Sequence, residues 1–68
     1  MKVFMYDATI INLSEVKYID AFLTNKVRAS IHFHMKGENN EIVYLKDVLS
    51  TKVPVILQEC YEIMKEED

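Results

Sequence analysis

The chain has 68 residues and a formal net charge of −3, with half of its residues hydrophobic and 28% charged. That length accommodates one domain, 1–68, whose core is too small for more than marginal stability. A lone cysteine, Cys60, excludes an intramolecular disulfide, and no apolar run approaches the ~20 residues that a membrane-spanning helix needs.

The N-terminal stretch MKVFMYDATII does not read as a signal peptide, because Asp7 interrupts the apolar run and no small-residue cleavage site follows. A cytoplasmic location is therefore expected. Lys2–Tyr6 and Thr9–Leu13 read as short strands joined by a turn at Asp7-Ala8, and Ser14-Glu15 breaks the next run. VKYIDAFL (16–23) is a longer strand. Thr24-Asn25-Lys26 is a turn, and VRASIHFHMK (27–36) alternates apolar and polar side chains without a break. GENN (37–40) is a turn, and EIVYLK (41–46) is a further strand.

The period then changes. From Val53, apolar residues recur at Ile56, Leu57, Cys60 and Met64, which is a helical stripe. Ser50 or Thr51 is the expected N-cap, and Pro54 suits the first turn, where its missing N–H costs little. Glu66, Glu67 and Asp68 lie at the unfavourable end of the helix dipole, so the last turn should fray. Strands with short connections, followed by one helix, predict an α+β fold in two layers. An antiparallel meander of four to five strands should carry a C-terminal helix on one face.

The side-chain period of two sets which residues face the helix. A three-residue loop at Thr24–Lys26 places Leu23 opposite Val27, Ala21 opposite Ala29 and Ile19 opposite Ile31. Across GENN, Phe33 falls opposite Val43 and Ile31 opposite Leu45. The outer face then carries Tyr18, His32 and Tyr44 in one row and Val16, His34 and Ile42 in the next, with Phe22 opposite Arg28. Asp20, Ser30 and Lys46 form a polar row between them. An aromatic and apolar patch with a polar rim marks an interaction site, and Tyr and Arg are favoured at interface hot spots.

His32 and His34, two residues apart on one strand, could share a metal, with Asp20 diagonal to His32. Tetrahedral zinc wants three or four ligands, and only water suggests itself as a further one. The plainer reading makes both histidines ordinary outer-face residues, and no cofactor is expected. A single-stranded nucleic acid would use Tyr18, Phe22 and Tyr44 as stacking platforms beside Arg28, Lys46 and Lys36. Charge weighs against it: residues 1–36 carry five basic and three acidic groups (+2), residues 37–68 three basic and eight acidic (−5). The acids of the segment 59–68 fill positions that the apolar stripe leaves open.

Catalytic signatures are lacking. There is no Ser/His/Asp order and no glycine-rich phosphate loop, and Cys60 on the apolar stripe reads as a small buried hydrophobe. IINLSEVKYIDAF (10–22) resembles the opening of some LytTR-type DNA-binding domains, where a short strand leads through a turn into a hydrophobic-rich strand. The rest of the chain lacks the basic residues such domains use on DNA, and no functional residue carries over. The expectation is a non-catalytic interaction module. It pairs as a homodimer, or with another protein, through Val16, Tyr18, Phe22, Arg28, His32, His34, Ile42 and Tyr44.

Overall fold

The computed structural model describes residues 2–66. It has the expected α+β composition, five antiparallel strands and a C-terminal helix. The strands do not form one meander. β1 (Val3–Tyr6) and β2 (Thr9–Asn12) make a separate hairpin, whereas β3 (Val16–Leu23), β4 (Arg28–Met35) and β5 (Ile42–Leu49) make a three-stranded sheet in sequence order. The break is a 3₁₀ turn at Leu13–Glu15, fastened where the Asn12 side chain accepts the Ser14 N–H at 3.1 Å. That turn drives Leu13 into the core at 2% exposure, so the hairpin folds over the sheet instead of extending it.

α1 (Val53–Met64) and the hairpin cover the same sheet face. Phe4 of β1 stacks on Phe33 of β4 with ring centroids 6.2 Å apart. Ile56 and Cys60 of α1 complete a core with Ile31, Phe33, Leu45 and Val48. Odd-numbered residues of β4 point inward, as the alternation requires, with Ala29, Ile31 and Phe33 fully buried, and Ile19 and Ala21 of β3 pack against the same core.

The helix starts without the expected cap. Ser50 lies in a 3₁₀ turn (Ser50–Lys52), and Lys52 precedes the helix with no side-chain cap bond. Both Ser50 donors are used on the β3–β4 loop: its N–H donates to the Val27 carbonyl at 2.7 Å and its hydroxyl to the Lys26 carbonyl at 3.1 Å. Pro54 occupies the first turn, as expected. At the other end the Lys2 ammonium donates to the Met64 carbonyl at 3.1 Å, a cation placed where the helix dipole favours one. Glu66 still closes a turn onto the Ile63 carbonyl at 3.2 Å. The fraying expected of Glu67 and Asp68 lies outside the described residues.

Three irregularities set the register and the faces of the sheet. At the β3–β4 connection, the Asn25 side chain accepts the N–H groups of Val27 and Arg28, each at 2.8 Å. Thr24 N–H donates to the Arg28 carbonyl at 2.9 Å. The turn is thus centred one residue later than expected, and the pairing moves by two: Ile19 faces Phe33, Ala21 faces Ile31 and Leu23 faces Ala29. A bulge between Val16 and Tyr18 turns Val16 inward, to 2% exposure. In β5, which runs three residues past the expected end at Lys46, Asp47 takes a left-handed conformation (φ 58°). The added residue inverts the alternation and delivers Val48 to the core opposite Ala29.

Candidate functional site

The outer face of β3–β4–β5 is built by the even-numbered residues of three strands. The β4–β5 register agrees with the expected one over the central rows, with His32 opposite Tyr44 and His34 opposite Ile42. The two-residue shift between β3 and β4 changes their neighbours. Tyr18 pairs with His34 instead of His32, Asp20 pairs directly with His32, and Phe22 faces Ser30 instead of Arg28. A shift by two keeps every side chain on its expected face and changes only what it meets.

Seven of the eight expected surface residues are on this face. Val16 is not, because the bulge places it in the core. Tyr18, Phe22 and Tyr44 are 51%, 57% and 49% exposed, so each aromatic body is half in water. Ile42 is partly covered beside His34, and Arg28 stands exposed at the end of β4. The Arg28 guanidinium donates to the Asp47 carbonyl at 3.3 Å, holding it against the β5 bulge.

At the centre the shifted register places a carboxylate between two imidazoles. His34 Nε2 donates to Asp20 Oδ1 at 3.0 Å, and His32 Nδ1 lies 3.8 Å from the same oxygen. His32 Nε2 is 2.9 Å from Ser30 Oγ. The Tyr18 ring stacks on His34 at 4.1 Å and 13°. Phe22 and the edge-on Tyr44 meet His32 at 4.9 and 4.7 Å. Both histidine side chains are only 19% exposed in this cage, and Asp20 is 38% exposed. The Lys46 ammonium stands 5.9 Å from the centre of the Tyr44 ring.

Asp20 and Ser30 are the residues that sequence reasoning undervalued. Strand parity placed both on this face, but the register left Asp20 diagonal to His32 and away from His34. The usable signal was Asn25, whose side chain favours tight turns by accepting backbone N–H groups further along the chain.

Cys60 is fully buried on α1, as its place on the apolar stripe implies. Burial pushes its thiol up to about 11, with the Glu59 carboxylate adding to the effect. The sign of the resulting pH dependence is definite. Above the ordinary value of 9.0 the unfolded chain releases this proton, while the folded chain holds it until about 11. The unfolded state then binds fewer protons, so stability falls as pH rises through that window, by up to about 2 kcal/mol. Urea titrations at pH 8 and 10.5 should show this loss, and Cys60→Ala should remove that part of it.

Among the described residues no helix is long and apolar enough to cross a membrane. No family model, curated protein or solved structure matches this chain.

Proposed function

We propose that this protein is a non-catalytic interaction module that pairs with a second copy of itself through the outer face of β3–β4–β5. The observation that carries the reading is the aromatic set on that face. Tyr18, Phe22 and Tyr44 remain about half exposed on a three-stranded surface whose opposite side is occupied by the chain's own hairpin and helix. Two such faces would pack ~10 Å apart with interdigitated side chains. Pairing would add buried apolar area that one core of this size lacks, so the dimer would be more stable than its parts. A cytoplasmic site of action belongs to the same proposal and agrees with a single unpaired thiol.

A nucleic-acid strand suits this face less well. The Asp20 carboxylate sits among the aromatic rings, and Arg28 is turned onto Asp47 instead of flanking the stacking platforms. Phosphate would meet a negative charge where it needs a positive one.

Light scattering on the purified chain tests the proposal. The wild type is expected to have the mass of two 8.0 kDa chains at micromolar concentration. Phe22→Glu with Tyr44→Ala should give single chains with an unchanged circular dichroism spectrum. Removing two central aromatic anchors typically weakens association by roughly a thousandfold or more. A monomeric wild type, or an undiminished dimer in the double variant, would remove this surface from consideration.

A further inference from the structure

We propose that Asp20, His32 and His34 form a binding site for a zinc-class divalent transition-metal ion, with the fourth coordination position open to water. The site lies on the proposed pairing face but does not depend on pairing, since one chain supplies all three donors; the fourth position is open to water in the single chain and would face the second copy in a pair.

Asp20, His32 and His34 each offer one donor atom, and the three donors lie within 4.8 Å of one another; His32 Nδ1 and His34 Nε2 stand 3.8 and 3.0 Å from Asp20 Oδ1. Zinc binds imidazole nitrogen and carboxylate oxygen at about 2.0–2.2 Å in tetrahedral geometry, so neighbouring donors should stand about 3.4 Å apart. The two edges to Asp20 bracket that value. Two imidazoles and one carboxylate suit borderline ions such as zinc, whereas calcium and magnesium prefer oxygen donors throughout.

The surroundings support the same assignment. A ligating histidine presents one ring nitrogen to the metal and donates the other to an oxygen, which sets its tautomer. His32 can meet that condition: Nε2 lies 2.9 Å from Ser30 Oγ, and in the tautomer whose Nε2–H donates to that oxygen the Nδ1 lone pair is left on the Asp20 side. Tyr18 flanks the His34 ring, while Phe22 and Tyr44 flank His32, so little rotational freedom remains to be lost on binding. At His34 the ion takes the place of the proton that Nε2 now shares with Asp20, and that proton passes to solvent. The three donors project from the outer face, so an ion they hold keeps one position turned away from the protein. Three protein ligands leave the fourth position of a tetrahedral ion for water or another small ligand.

The test uses the full chain without a polyhistidine tag, stripped with chelator and titrated with zinc chloride by calorimetry. One ion per chain with a micromolar or tighter Kd is expected, and cobalt(II) should give the visible absorption of a four-coordinate site. His32→Ala, His34→Ala and Asp20→Asn should each weaken binding at least tenfold. Ser30→Ala, which only releases the His32 ring, should weaken it by roughly tenfold. NMR of the wild type gives a readout independent of whether the variants fold: zinc should shift the imidazole resonances of His32 and His34 and leave Cys60 unaffected. Zinc binding undiminished by His32→Ala with His34→Ala, imidazole resonances that do not respond, or no binding at millimolar zinc would each overturn the site.

Discussion

Phe33→Ala is expected to remove a third or more of the free energy that holds the fold together. Phe33 is wholly buried in the second half of the central strand, packed on the Phe4 ring and within the cluster that holds Ile56 and Cys60. Truncating a buried phenylalanine costs about 3–5 kcal/mol through lost transfer energy and the cavity left behind. A chain of 68 residues has ~3–10 kcal/mol of total stability at the ordinary per-residue value. The substitution therefore removes a third of the stability or more, and at the lower end all of it. Thermal unfolding followed by circular dichroism should show a melting temperature lowered by more than about 10 °C, or no cooperative transition. A melting curve within a few degrees of wild type would mean that the hairpin does not close over Phe33 as described.

Val16→Lys is expected to be nearly as damaging, for a different reason. Val16 looks like an outer-face residue by alternation along VKYIDAFL, where a lysine should be tolerated. The bulge between Val16 and Tyr18 instead turns it inward to 2% exposure. An ammonium group there loses its hydration, and no buried carboxylate is present among the described core residues to compensate. Several kcal/mol of destabilisation follow, even with partial escape of the long side chain to the rim. Tyr18→Lys, two positions along and 51% exposed, should change monomer stability by no more than about 1 kcal/mol. Equal urea midpoints for the two variants would show that the bulge is misplaced and Val16 faces water.

The bulge and the turn also explain how much of the site could be read in advance. Tyr18, Phe22, His32, His34, Ile42 and Tyr44 reach the outer face because strand alternation puts them there whatever the register. Their mutual contacts were legible only across β4–β5, where opposing His32 with Tyr44 also set Phe33 against Val43 and Ile31 against Leu45. Across β3–β4 the two candidate registers differ by two residues and bury the same side chains, so hydrophobic pattern does not separate them. Asn25 decides between them by binding the N–H groups of Val27 and Arg28, and the decision brings Asp20 to both histidines.

The amino-acid sequence by itself determined the α+β composition, the places of all five strands to within a few residues, the helix from Val53 and the inward side of β3 and β4. Each follows from a local periodicity, and periodicity is written in consecutive residues. Tertiary structure alone decided that the hairpin folds over the sheet, that Ser50 serves the β3–β4 loop instead of capping the helix, and that Asp20 lies between His32 and His34. These depend on groups far apart in the chain competing for the same backbone partners and the same apolar surface. Such competition is resolved only when the whole chain packs, because the free energy of each contact depends on what else has been buried beside it.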